Sequence, residues 1–142
     1  MHFSTILVAV DVNDAENGEA AVARAAAIAG KDGHLRLLFV RYFLPNRYAD
    51  MLAVDFDERE HHEAMETMRQ WCAKAGVPEG HYTLVTRRGR VRDEVIDEAT
   101  STGADLIVVG SHQPSLSSRL LGSNASAIVH QSKVSVLVVR TQ

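Results

Sequence analysis

The sequence predicts an α/β fold: one doubly wound sheet of five parallel strands in the order 3-2-1-4-5, with helices on both faces. Three observations carry this. Apolar runs of strand length alternate five times with four stretches of helical periodicity. The first and fourth runs, within FSTILVAV and ADLIVVG, are the most uniformly apolar, as centrally buried parallel strands must be. The third, HYTLVTR, is much more polar and suits a sheet edge. No repeat, linker or low-complexity segment interrupts residues 1–142, so a single domain is expected.

Phe3 to Val10 is the first strand, and it ends at Asp11. That residue reads either as a turn or capping residue, or as a carboxylate at the end of a central strand, where open α/β sheets hold ligands. Asn13-Asp14-Ala15-Glu16 resembles a capping box, and the alanine-rich helix it opens runs to about Ala29 before Gly30. Ala21, Ala25 and Ile28 share its buried face. His34 to Val40 is the second strand. A connection from Arg41 to about Val54 follows, read either as a cover for the sheet edge or next helix, or as a lid. Asp55 to Ala75 has helical periodicity and stops at Gly76. Its stripe of Met65, Met68, Cys72 and Ala75, with Trp71 beside it, is core. His61 and His62 diverge by about 100° on a helix and cannot share one metal ion.

The third strand, His81 to Arg87, leads into Arg87-Arg88-Gly89-Arg90-Val91-Arg92, which holds four arginines. They read as an exposed turn offset by Asp93, Glu94, Asp97 and Glu98, or as a cationic rim for phosphates or an acidic partner. Val91, Val95, Ile96 and Ala99 give the third helix its apolar face as far as Gly103. Leu106 to Val109 is the fourth strand and stops at Gly110. After a polar loop, Gly122-Ser123-Asn124-Ala125 opens the fourth helix, with Ala125, Ile128, Val129 and Ser132 on its buried face. A helix start leaves backbone N–H groups unpaired and carries a positive dipole end, which suits a phosphate. Gly122 has no Cβ to hold a ligand off the backbone, and Ser123 can cap the helix or donate to an oxygen. An ordinary capped loop would look similar. Val134 to Val139 is the last strand.

Composition narrows the function. With 46% hydrophobic and 23% charged residues, the chain is neither disordered nor fibrous. A net charge of -3 argues against a general nucleic-acid binder. No apolar run approaches the roughly 18 residues of a membrane span. The single Cys72 cannot form an internal disulfide, and no secretory signal is evident, so a cytoplasmic protein is expected. There is no Walker A lysine motif and no G-x-G-x-x-G. A phosphoacceptor receiver would need an aspartate ending the third strand, where Thr86-Arg87-Arg88 stands. No Ser-His-Asp set or glycine-framed nucleophile is evident, so no catalytic residue is assigned and any hydrolysis would be slow.

Gly110-Ser111-His112, Leu120-Leu121-Gly122-Ser123 and Val136-Leu137-Val138-Val139-Arg140, with Ile6-Leu7-Val8-Ala9-Val10-Asp11 as the opening strand, resemble the universal stress protein family over the whole chain. That family has the same strand order. Its nucleotide-binding members carry glycine, two residues, glycine, nine residues, then glycine followed by serine or threonine. Gly110 and Gly122-Ser123 match the ends of this pattern. The second glycine falls on Gln113, with eight residues before Gly122, similar to a loop variant of small bacterial members.

The resemblance implies an adenine nucleotide, ATP or AMP, at the crevice between strands one and four, and any magnesium ion would be carried by its phosphates. It places Asp11 at the ribose and the backbone around Val40 at the adenine. His112, beside the phosphate loop, is the one acid–base candidate the residues offer, and it is expected instead to pack or hydrogen-bond against the nucleotide. Ala9, Val10, Val109, Gly110, Gln113, Ser115, Gly122, Ser123, Asn124 and Ala125 complete the expected contacts, with Ser117 and Ser118 nearby. It also implies a homodimer through Val134 to Val139 and a stress-response binding or regulatory role. The competing reading is a nucleotide-free dimeric interaction protein that keeps only the fold.

Overall fold

Parallel strands bury side chains on both faces, and that requirement sorts the residues of the computed structural model, which describes residues 3–41, 54–111 and 121–141. The strands are β1 (Thr5–Val10), β2 (His34–Arg41), β3 (Tyr82–Arg88), β4 (Leu106–Gly110) and β5 (Ser135–Val139). All pair in parallel, in the order β3-β2-β1-β4-β5. Between them run α1 (Ala15–Ala29), α2 (Val54–Lys74), α3 (Val91–Thr102) and α4 (Ser123–Gln131). Ile6, Val8, Val10, Leu37 and Phe39 pack against α1 and α2, where Val22, Met68 and Trp71 meet them. Leu7, Leu38, Ile107 and Val109 pack on the opposite face against Val95 and Ala99 of α3 and Ala125 and Ile128 of α4. The expected sheet order and two-sided helical cover are therefore both present. No helix among the described residues is long and apolar enough to cross a membrane.

Three local expectations change. The helix α1 is capped by Asp14, one residue later than the sequence suggests: its carboxylate accepts from the Asn17 N–H at 3.3 Å. The cause is Asp11, whose Oδ1 takes the Asn13 N–H at 2.9 Å and draws Asn13 into the turn. At α4 the cap is Gly122, with no side-chain cap bond, so Ser123 is the first helical residue and not the cap. Val129, expected in the core, is 42% exposed. Ala125 and Ile128 alone supply the fully buried stripe of this short helix, and Val129 lies on its flank.

At the amino ends of the central strands, the Asp105 carboxylate accepts from the N–H groups of Ser4 at 2.8 Å and Thr5 at 3.0 Å. This pins the start of β1 beside the start of β4. In α2, Cys72 is fully buried, and desolvation pushes its thiol pKa up to about 11. It is an inert core residue.

Candidate functional site

Backbone pairing locates where the sheet opens. The Asp105 N–H bonds to the Thr5 carbonyl at 2.9 Å, so odd-numbered residues of β1 face β4. The register between them ends at Ala9 opposite Val109. Continuing it would join the Asp11 N–H to the Val109 carbonyl, and that bond is not formed among the described residues. Beyond this point β4 stays with β5: Gly110 pairs with Val139, and the Ser111 N–H reaches the Val139 carbonyl at 3.0 Å. The two central strands thus part at Asp11 and Gly110. Their connections leave in opposite directions, which makes this the switch point of the sheet.

The start of α4 is held at the same place. The Gly122 N–H donates to the Ser111 carbonyl at 3.3 Å. The Ser126 N–H makes the first intrahelical bond, to the Gly122 carbonyl at 2.9 Å. The amides of Ser123, Asn124 and Ala125 therefore form the helix start, where no carbonyl of the same helix can receive them. Gly122 is buried, and Ser123 and Asn124 are exposed.

The expected contacts that fall among the described residues take distinct positions. Asp11 is exposed at the crevice, and its carboxylate closes a turn, the first of its two readings. Ala9 and Val109 pack into the α3–α4 core, and Val10 into the α1–α2 core, so they can offer only backbone. In β2 the His34 N–H bonds to the Ser4 carbonyl just before β1, whereas the Leu35 N–H bonds to the His81 carbonyl just before β3. Even-numbered residues thus face β1, and Val40 lies past the last pair, Val10 with Phe39. No described backbone donor reaches its carbonyl from beyond Val10. His112, Gln113 and Ser115 lie outside the described residues, as do Ser117, Ser118 and residues 42–53 of the connection after β2.

Two polar residues at the crevice escape sequence reasoning. Asn17 is buried at the start of α1, and its Nδ2 donates to Asp14 at 2.8 Å. The Thr141 hydroxyl donates to its Oδ1 at 2.6 Å. Asn17 stands over Gly110, where an added Cβ would lie 3.4 Å from it. Nothing in the sequence links residues so far apart.

The arginine turn divides in two. Arg87 pairs with Glu94 at 2.9 Å and with Glu98 at 3.0 Å, and the buried Glu98 also holds Arg36. Arg88 pairs with Asp57 of α2, which also binds Arg41 at 2.8 Å. Those two arginines are thus structural. Arg90 and Arg92 are exposed and form no ion pair among the described residues.

Hydrogen bonding from Arg88, aided by Arg41, holds the Asp57 carboxyl below its ordinary range. A carboxylate shifted this way stabilises the fold above that range and loses the gain as pH falls through its lowered pKa. Urea melts should therefore show Asp57→Asn less stable than wild type at neutral pH, with the difference closing in strong acid. A gap unchanged by acid would remove this linkage.

Clefts lined by described residues adjoin the sheet at both of its ends. One, of about 460 Å³, lies at its far end between the last turn of α1 and Val77, away from every expected contact. The other, of about 430 Å³, lies beside Val12, Asn13 and Phe39, next to the crevice on the α2 face. Among the described residues no group of three His, Cys, Asp or Glu side chains could hold a metal ion.

The chain matches the universal stress protein family model over residues 2–140. It is 37% identical over 141 residues to Universal stress protein G of Escherichia coli O157:H7, covering 97% of this chain and 99% of that one. A universal stress protein solved in complex with cAMP aligns with a TM-score of 0.72 at 24% identity, over 100% of both chains. A universal stress protein of Archaeoglobus fulgidus, solved with dAMP, aligns at 0.66 and 20% identity, covering 99% of this chain and 100% of that one. At these identities the two structures speak for the fold, and their ligands are their own.

Proposed function

The chain belongs to the universal stress protein family, and from that premise we propose that it binds an adenine nucleotide, ATP or AMP, where β1 and β4 part. The observation that carries this reading is the convergence of Asp11, Gly110 and the Gly122 helix start on one opening. An exposed carboxylate suits ribose hydroxyls, which donate. A helix start with a buried glycine suits phosphate oxygens, which accept. The Val40 carbonyl, which no described backbone donor reaches from beyond Val10, suits an exocyclic amino group such as adenine carries. Two structural neighbours hold adenine nucleotides of their own, which supports the choice of base. Any magnesium ion would arrive on the phosphates. Occupancy would then act as a regulatory signal in a stress response, with no turnover required.

Asp11→Ala should weaken AMP and ATP by a similar factor. Loss of a hydrogen bond to a charged group costs roughly 1.5–3 kcal/mol, or about ten- to hundredfold in affinity. Calorimetric titration with both nucleotides measures this. Unchanged affinities would take Asp11 out of the site.

The same reading includes a homodimer through β5. This strand is one edge of the sheet, and Val136, Leu137 and Val138 are only partly covered. An apolar edge with open backbone groups invites pairing, and a two-fold axis would set it against its own copy. Light scattering should give a dimer at micromolar concentration, and Val136→Lys or Leu137→Lys should give a monomer. A wild-type monomer, or a dimer indifferent to both lysines, would rule this contact out.

A further inference from the structure

The carboxyl end of β2 runs past the end of β1. The last pair between them is Val10 with Phe39, yet β2 continues through Val40 to Arg41. On its other side, Arg41 pairs with Arg88 of β3, and the Gly89 N–H reaches the Arg41 carbonyl at 3.1 Å. β3 is itself an edge strand. The overhang is therefore supported by an edge on one side and, among the described residues, by no strand on the other.

The pair that ends this ladder is two arginines. Neighbouring strands lie about 4.8 Å apart, and like charges placed directly opposite one another destabilise a sheet. Arg41 is 9% exposed, so water cannot offset its charge. The offset comes from the first turns of α2. Arg41 Nη1 donates to Asp57 Oδ1 at 2.8 Å and to the Asp57 carbonyl at 3.2 Å, with Glu60 at 3.6 Å. Arg88 Nη2 donates to the same Asp57 Oδ1. One carboxylate oxygen thus bridges both guanidinium groups. Arg41 Nε is buried with no acceptor, so the cluster is already one acceptor short before any partner is removed.

We propose that Asp57 is a positioning residue for base recognition: by clasping Arg41 and Arg88 it fixes the β2 overhang and so sets the Val40 carbonyl at the correct span from Asp11. This rests on the adenine-nucleotide reading above. Asp57 touches no ligand in this role. Without its charge, the two arginines repel, the overhang shifts, and the base contact moves away from the ribose contact. The phosphate contacts at Gly122 lie on the other side of β1 and keep their geometry.

The test compares AMP with ribose 5-phosphate, which lacks the base, by calorimetric titration and competition. Asp57→Asn should weaken AMP about tenfold, the scale of one lost hydrogen bond to a polar base, while ribose 5-phosphate changes less than about twofold. Adding Arg88→Gln removes the repulsion and should restore most of the AMP affinity, which a simple loss of packing would not do. Arg41→Lys keeps the charge but loses the fork that binds Asp57, and should show the same selective loss if Asp57→Asn fails to fold. Parallel losses for both ligands, an unchanged AMP affinity, or no recovery in the double variant would each overturn the proposal. Wild-type protein that binds ribose 5-phosphate no more weakly than AMP would instead overturn the adenine reading itself.

Discussion

Gly122→Val should leave a folded protein that no longer binds AMP or ATP measurably. Gly122 sits at φ -60 and ψ 154, extended backbone that any residue adopts, so no conformational strain accompanies the change. Its N–H can still reach the Ser111 carbonyl, and its carbonyl can still receive the Ser126 N–H. What changes is the space above the helix start. Two methyl groups there would hold phosphate oxygens beyond hydrogen-bonding distance of the amides that follow. A loss of at least about a hundredfold in affinity, near 2.7 kcal/mol, is expected. Calorimetry reads the affinity, and a thermal melt confirms that the fold persists. Binding that survives would place the phosphates elsewhere, with exposed Arg90 and Arg92 the first residues to examine.

Gly18→Val should have the largest effect on stability. Gly18 lies in the first turns of α1, where it is buried against α2. A Cβ there would come within 2.3 Å of Trp71 Cη2 and Cζ3. The obstacle is the ring of a side chain only 6% exposed, with no flexible tip to swing aside. Either α1 lifts from the sheet or Trp71 leaves its pocket. Overpacking of this kind costs about 1–3 kcal/mol and sometimes more, and the rigid ring puts this site at the upper end. For a domain of this size that is a fall of about 10 °C in melting temperature. Adding Trp71→Leu should recover part of the loss, because the removed ring makes room for the valine methyls. Equal stabilities for wild type and Gly18→Val would mean that the helices are not packed this closely.

Periodicity made the sheet order, the two-sided core and the position of the crevice legible. β1 and β4 are apolar throughout because helices cover both their faces, and β3 is polar because it lies at an edge. Asp11 and Gly110 were visible because each ends such a run. The contacts that sequence reasoning missed are those made between distant segments. Gly18 reads as a weak helix residue, and only the ring of Trp71 explains it. Glu98 reads only as one of four acids that could offset the arginine turn, and Asp57 carries no signal at all, yet each gathers two arginines. Charge runs carry no sign of which members meet across a sheet. The α1 cap shifted by one residue because Asn13 and Asp14 are equally good caps, and the choice falls to the Asp11 turn. Val129 was misplaced because helical spacing marks a wider stripe than a short helix at the sheet margin buries.

The split between β1 and β4 gives the two ends of the sheet different jobs. At one end Asp105 staples the strands together. At the other, past Ala9 and Val109, no backbone bond among the described residues joins them. Amide exchange should grade along the pair, slowest near Leu7 and Ile107 and fastest at Asp11, because stability is spread unevenly over a fold. The Asp11 amide then serves as a built-in reporter: a ligand seated in the opening would slow its exchange, while the amides near the staple would register only the stability of the whole domain.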